Sequence, residues 1–511
     1  MPRSGQIIPE HSYPHQMVVI NDNTEYSRTL SSDSGNTNML FVVMSPKGID
    51  RQMFTVAGES EFMSKVGLGP FNTYGQPLLN AYAAAQSGAA TLHILRITAP
   101  DATFANMTIV AKYKESEDGN ISVKFGKVVV SDCLNMSESL FEDMYQAPTD
   151  PDDEGWTTVE LFSFACKGRG TWGNNISFRI SNYAQGDKSN NYKNYVLELY
   201  ENSALGLNKI SDYVVAFNED AIVSEVSMFA EAKVNDPDTG SDFVQLKVNM
   251  DGFKTLYEVY KAANPDTSIT FDEFDPLLGL NKYTAKAIPN WEIDTISEDA
   301  VSVQETTGIF LEGGSDGIFA YQTDKEAAKT RAELIEAAYK AAYSGETDPH
   351  IMSKRRFPTT FIMDAGFSTD IKKTIAALGT TRGDCAVILD GGTGLTTKRD
   401  IFDIVNSIET VASNRLHTME AYYGKIKDPY SKKLVTVTGT WWLCSAYPTH
   451  IQENEAKHVP LAGNAFGAIS GFIDGTIYPV YDEDIDSEVM DELCDARINF
   501  AKVDPRQNVV R

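Results

Sequence analysis

The sequence predicts a mixed α+β protein of several domains: an α/β sheet core, a β-rich domain inserted into it, and an incomplete α/β domain at the C-terminal end. Residues 39–97 and the chain after residue 308 alternate short apolar runs with helical patterns, the signature of a parallel or mixed sheet covered by helices. Residues 98 to about 300 instead show period-two alternation broken by acidic, Gly- and Pro-containing loops, which reads as β structure. At 511 residues the chain has room for roughly three or four domains, each able to bury a core of its own.

The elements follow in order. Residues 1–37 are rich in Ser, Asn, Asp and Thr, and only Met17-Val18-Val19-Ile20 could form a short strand. Such a segment is either disordered or donated to a sheet edge elsewhere, because a lone strand cannot satisfy its own backbone groups. Met39–Met44 is a continuous apolar run of strand length, stopped by Ser45-Pro46-Lys47-Gly48. Residues 76–86 place Leu78, Leu79, Tyr82 and Ala83 at helical spacing, with Pro77 tolerable in a first turn. Gly88 ends that helix and Thr91–Ile97 reads as a strand, giving a β–α–β opening. Alternating strands are expected at 107–113, 121–130, 159–165, 176–181, 194–199 and 243–249.

The α/β pattern returns after 308. Thr323-Asp324-Lys325-Glu326 reads as a capping box for an Ala-rich helix to about Tyr343. Thr359–Asp364, Ser368–Leu378 and Cys385–Asp390 form a compact βαβ unit. Thr397 can cap a helix to about Asn414, and Thr418–Tyr423 is a further strand. Near the end, Val489, Leu493, Ala496 and Ile498 continue a helical pattern that needs more chain. The stop at Val509-Val510-Arg511 reads as a truncation.

Composition bounds the function. The formal net charge is −27, and so acidic a surface repels phosphate, which argues against nucleic acid and anionic membranes as partners. The excess reads as solubility before assembly, or as an acidic face that meets a basic partner. Five cysteines at 133, 166, 385, 444 and 494 are odd in number and lack any C-x-x-C, so neither a disulfide framework nor a zinc ribbon is expected, and folding in a reducing cytoplasm is. The N-terminus has no apolar h-region and no apolar run reaches the ~18 residues of a membrane span.

Candidate chemistry is sparse. Gly168-Arg169-Gly170-Thr171-Trp172-Gly173 satisfies G-x-G-x-x-G, but residues 174–180 alternate like a strand, so the helix that would hold a pyrophosphate is missing. Asp236-Pro237-Asp238 and Asp482–Asp486 lack the Gly and Glu of a calcium loop. His450 and His458, seven residues apart around Glu453 and Glu455, fit no zinc spacing and read as surface residues. Asp364 and Asp390 end successive βαβ strands, where α/β sheets bind ligands, yet turn chemistry alone explains both. Gly313-Gly314-Ser315-Asp316-Gly317 fits G-x-S-x-G, the nucleophile elbow of α/β-type serine hydrolases, with Asp364 or Asp390 and His417, His450 or His458 as formal partners. Against it, the helix start near 323 comes too late, and no H-G-G-G-type oxyanion segment lies upstream.

Five separated segments, in order, resemble the tail sheath proteins of contractile bacteriophages. They are Phe71–Ile97; Gly168-x-Gly170-Thr171-Trp172-Gly173-Asn174-Asn175; Leu311-x-Gly313-Gly314-x-Asp316-Gly317; Phe357-Pro358-x-x-Phe361 through Arg382-x-Asp384-Cys385; and Ala421-Tyr422-Tyr423 through Leu461-Ala462-Gly463-Asn464 to Gly471. Together they cover roughly half of the chain, and the nearest individual likeness is to sheaths of phiKZ-type giant phages. The resemblance implies a non-enzymatic virion subunit made in the bacterial cytoplasm, with no catalytic, cofactor or metal residues. It implies stacked hexameric rings around a tail tube that contract to drive the tube through the host envelope. The implied partners are further copies of the chain, the tube protein, and baseplate and tail terminator proteins, without nucleic acid or membrane insertion. It also implies that terminal arms add strands to neighbouring subunits, with Met17, Val18, Val19 and Ile20 as the donor here. The implied domains are an N-terminal arm (1–37), an α/β middle domain (38–97 plus 166–420, β-rich over 166–300), an inserted outer domain (98–165) and an incomplete inner domain (421–511).

Overall fold

The computed structural model describes every residue except 1–36, 89, 116–120, 131, 135–154, 183–193, 204–205, 224, 275–290, 294–307, 412–416, 455–460, 462–466, 482–486, 504–507 and 511. The expected donor strand Met17–Ile20 and the acidic run 482–486 lie outside the described residues. The fold is mixed α and β, in two compact units. One takes the chain up to Ser45, then Arg51–Ile97 and Ala332–Arg511; the other takes Pro46–Asp50 and Thr98–Arg331.

The first unit is built on a seven-stranded sheet, in the spatial order Met53–Ala57, Ala90–Arg96, Thr37–Val43, Phe361–Met363, Ala386–Asp390, His417–Glu420 and Ile498–Asn499. All neighbours run parallel except the first pair. Thr37–Val43 sits in the interior of the sheet and is buried along nearly its whole length, which is why it reads as a continuous apolar run rather than an alternating one. The β–α–β opening is present: Met39 pairs with Leu92 and Phe41 with Ile94. The intervening helix, Phe71–Gln86, breaks at Gly75 (φ 71°) just before Pro77. The strand Met53–Ala57 and the helix Gly58–Lys65 were not expected between them. The βαβ unit is also present, with Phe361–Met363 and Ala386–Asp390 in parallel register around the helix Thr369–Arg382.

Several boundaries differ from expectation for local reasons. The Ala-rich helix spans Lys325–Tyr343, and Asp324, not Thr323, caps it by accepting from the backbone N–H groups of Glu326 and Ala327. Thr397 does begin a capping box, with the Asp400 carboxylate accepting its N–H at 2.8 Å, but that helix ends at Glu409. The single strand expected over 418–423 is two, His417–Glu420 and Tyr422–Lys427, in different sheets. The last helix stops at Asp495, and Ile498 belongs to a strand. A three-stranded sheet, Leu434–Thr438, Tyr422–Lys427 and Tyr478–Pro479, follows the same unit, with the helix Thr440–Asn454 behind it in sequence.

The second unit holds two larger sheets. One orders Val244–Val248, Thr157–Cys166, Asn106–Glu115, Ile121–Val128 and Trp291–Ile293; the other orders Ile309–Phe310, Ile176–Asn182, Tyr195–Ser203 and Gly206–Val215. All pairs are antiparallel except Trp291–Ile293 on Ile121–Val128. One apolar core joins them, with Phe164 and Phe178 at 4.4 Å and Phe162 and Phe217 at 5.0 Å between ring centroids. This stretch is not all β: the helices Ala230–Val234 and Met250–Ala263 lie within it. The second starts at Asn249, whose side chain accepts from the Gly252 N–H, and it buries Phe253, Leu256 and Tyr260.

Gly252 shows how closely that helix lies on the Thr157–Cys166 strand, since a Cβ there would run into the Glu160 carbonyl oxygen. Gly252→Ala is therefore expected to lower stability by about 1–3 kcal/mol, as overpacking does, rather than raise it as Gly to Ala does on an open helix face. A denaturant melt of the two proteins checks the sign.

Candidate functional site

The G-x-S-x-G turn and the G-x-G-x-x-G segment are one structural object. Leu311 is buried and donates its N–H to the Ile176 carbonyl, carrying the chain off the short strand Ile309–Phe310. Asn106 and Glu312 exchange backbone hydrogen bonds, and so do Thr103 and Ser315. Between these bridges Gly313 adopts φ 83°, a left-handed conformation that glycine takes without steric cost. Asn174 then holds Gly314 at both polar groups: its Oδ1 accepts the Gly314 N–H at 2.8 Å and its Nδ2 donates to the Gly314 carbonyl at 2.9 Å. Asp316 accepts from the Thr171 N–H at 3.1 Å and from the Thr171 hydroxyl at 2.7 Å. The Thr103 hydroxyl donates to the Gly313 carbonyl at 2.6 Å.

The glycines are there because the backbones touch. A Cβ on Gly314 would strike the Gly170 carbonyl oxygen, and one on Gly173 would lie 2.7 Å from the Ala105 Cβ and 2.8 Å from the Cys166 Sγ. Residues Thr171–Asn175 form a five-residue 3-10 turn that runs straight into the strand Ile176–Asn182. As the sequence implied, no long helix is available there to hold a pyrophosphate.

Ser315 does not have the setting of a nucleophile. It is exposed, and its hydroxyl accepts the Gly317 N–H at 3.2 Å, which closes the turn. Its unit, residues 46–50 and 98–331, contains no histidine in its sequence. A 3-10 turn, Gly317–Phe319, separates Ser315 from the helix that begins at Lys325, whereas a nucleophile elbow turns directly into its helix.

Asp364 and Asp390 do meet, at the carboxyl ends of adjacent parallel strands and fully buried. Turn chemistry accounts for part of each: Asp364 accepts from the N–H groups of Ala365 and Phe367, and Asp390 from that of Gly392. The sequence reading missed what lies between them. Lys372, itself buried, places its ammonium 2.6 Å from Asp364 and 3.2 Å from Asp390. Thr438 and Thr440 donate to Asp390 at 2.8 and 3.3 Å, Gln76 donates to Thr438, and Asn80 donates to the Asp364 carbonyl. Open α/β sheets take ligands in the crevice beyond these strand ends. Here the chain's own side chains fill that place.

The cluster carries more carboxylates than cations. Burial, with Asp390 adding to it, pushes the Asp364 carboxyl up despite Lys372. Burial works to lower the Lys372 ammonium, but the two aspartates outweigh it and leave it raised. On the next strand Glu420 is buried and accepts from the Asn499 amide at 2.6 Å; burial pushes it up to about 7. Asp236 is a solvated turn former, accepting from the N–H groups of Asp238 and Thr239. His450 is not the surface residue expected from its spacing; it is buried on the helix Thr440–Asn454. His458 and the His417 side chain lie outside the described residues.

No protein-family model matches the chain, and no curated protein matches it. Among solved structures, a sheath tail protein of Listeria innocua is similar at 10% identity and TM-score 0.45, covering 96% of this chain and 71% of that one. A sheath tail protein of Desulfitobacterium hafniense is similar at 10% identity and TM-score 0.38, covering 93% and 70%.

Two outcomes follow from this geometry. Asn174→Ala leaves the Gly314 N–H and carbonyl without their partners and is expected to cost about 1–3 kcal/mol, whereas Ser315→Ala should lie within about 0.5–1 kcal/mol of wild type; parallel melts separate them. Glu420 has a folded pKa above its ordinary value, so its contribution is present below about 4.5 and is lost as the pH rises through about 7. Glu420→Gln should therefore gain on wild type above pH 7, by up to roughly 3 kcal/mol, and show no advantage near pH 4. Thermal unfolding of both proteins across that range reads this out.

Proposed function

We propose that this chain is a structural subunit of a contractile phage tail sheath, assembling as stacked hexameric rings around a tail tube and working by rearrangement of its packing. The observation that carries the reading is the fate of the motifs that resemble the sheath family. Gly170–Asn174 and Gly313–Gly317 bond to each other, with Asp316 accepting from the Thr171 N–H and hydroxyl and Asn174 holding both polar groups of Gly314. Residues that could have been a hydrolase elbow or a nucleotide loop serve as a clamp between strands. Such a clamp is a structural use of these residues, and it leaves Ser315 without a histidine in its own unit.

On this reading contraction is a switch between two sets of interfaces, with the free energy stored during assembly and no nucleotide consumed. The segments that make the lattice are the N-terminal arm, with Met17–Ile20 adding a strand to a neighbouring sheet, and the C-terminal region 421–511. Tube, baseplate and terminator proteins would be the remaining partners.

The expected outcome is that purified full-length protein forms rings or tubes by negative-stain microscopy, and that a chain lacking residues 1–30 remains dispersed. Normal tubes from the shortened chain would remove strand donation from the account. Stoichiometric labelling of Ser315 by a fluorophosphonate would instead favour the hydrolase.

A further inference from the structure

The three-stranded sheet of the first unit carries a concentration of positive charge that the rest of this acidic chain does not explain. Its central strand, Tyr422–Lys427, alternates buried Gly424 and Ile426 with exposed Lys425 and Lys427, which therefore share one face about 7 Å apart. The turn that follows adds exposed Lys432 and Lys433, with Lys432 held in a left-handed backbone conformation at φ 60°. Within residues 422–438 the only carboxylate is Asp428, and it faces inward: it is fully buried and accepts from the N–H groups of Tyr430 and Ser431. Lys432 donates to the Pro429 carbonyl. Among the described residues, Lys425, Lys427 and Lys433 make no ion pair. Asp474 is exposed on the neighbouring turn, whose Ile473 N–H bonds the Lys425 carbonyl.

Edge protection accounts for only part of the pattern. Tyr478–Pro479 pairs with Tyr422 and Tyr423 alone, so the central strand has one ladder neighbour at Lys425 and Lys427, where lysines blunt an edge; Lys432 and Lys433 stand in the turn, off any strand. Like charges gathered on one small surface repel one another, a cost that an acidic surface laid over them would reverse. Beside them Tyr430 and Leu434 are more than half exposed, the mixed apolar and basic character of a contact surface rather than of a solvated loop.

We propose that the hairpin 422–438 is a docking surface for an acidic face of a second copy of this chain. A net charge of −27 over 511 residues means that any copy presents carboxylates in excess, so the complementary surface is supplied by the chain itself. The proposal rests on the self-assembling reading above, and names which surface of the subunit makes one of its contacts.

The test uses the full chain and the variant K425E/K427E/K433E, with K425R/K427R/K433R as the charge-preserving control, followed by sedimentation and microscopy. Wild-type assembly is expected to weaken as salt rises from about 50 to about 500 mM. The glutamate variant should need at least about tenfold more protein to assemble at low salt, while its circular dichroism and melting match wild type and the arginine variant assembles normally. Assembly of the glutamate variant at the wild-type threshold overturns the proposal and leaves the sheath reading standing. Failure of wild type to assemble under any salt condition overturns both. Retention of single-stranded DNA by wild type, lost in the glutamate variant with assembly unchanged, would replace the acidic protein partner by nucleic acid.

Discussion

The second unit depends on the approach of the Gly170 carbonyl to Gly314. Those two backbones can touch only because Gly314 carries no side chain at the contact. Once they touch, the remaining bonds are fixed in place: Asn174 reaches both polar groups of Gly314, Thr171 reaches Asp316, and Thr103 reaches Gly313. Asn174 and Gly314 stand 140 residues apart in sequence. Closing a loop of that length costs on the order of 4 kcal/mol, and five side-chain hydrogen bonds at about 1 kcal/mol each are of the same size. The clamp thus offsets the entropy of gathering the long β-rich excursion, and burial of the phenylalanine core around Phe162 and Phe178 is left to stabilise the unit.

Much of this was legible in the residues because it obeys short-range rules. Continuous apolar runs at Thr37–Val43 and Ala386–Asp390 became buried parallel strands, and the alternation at Ile176–Asn182 and Val244–Val248 became antiparallel ones. Thr397 and Asp400 made their capping box. The failures share a cause, which is that a local pattern had two readings and a distant contact chose between them. Asp324 outcompeted Thr323 as a cap because its carboxylate reaches two N–H groups of the first turn. No helix was expected over Met250–Ala263, whose start includes Gly252, a poor helix former that lies close on Glu160. The helix Thr440–Asn454 carries aromatic residues and an internal Pro448, both poor signals of helix, and it forms where tertiary packing outweighs propensity.

The candidate site was legible in its residues and opaque in its role. Gly313–Gly317 and Gly168–Gly173 stood out in the sequence, but nothing local said that each is the other's partner. The Asp364 and Asp390 pair was found from the strand-end rule, while Lys372, Thr438, Thr440 and Gln76 came from three other stretches of chain and left no spacing to detect. Their arrangement explains why a position that serves as a binding crevice in many α/β sheets is closed here. A buried lysine between two aspartates offsets part of their charge, and Asp390 ties the sheet ends to the segment that leads into the helix Thr440–Asn454. Breaking such a cluster leaves an uncompensated buried charge, so its worth lies in holding one arrangement of those elements rather than in a large net gain.

The overall acidity and the local basicity act at different ranges. At physiological salt the Debye length is about 8 Å, so the net charge of −27 is largely screened between surfaces further apart than that, and only charges brought close together interact strongly. What then decides is the pairing of the few charges that actually face each other. A chain with carboxylates in excess and a local group of exposed lysines on one hairpin has many weakly repulsive approaches and a small number of attractive ones. Orientation is selected by the charge pattern before any apolar surface is buried.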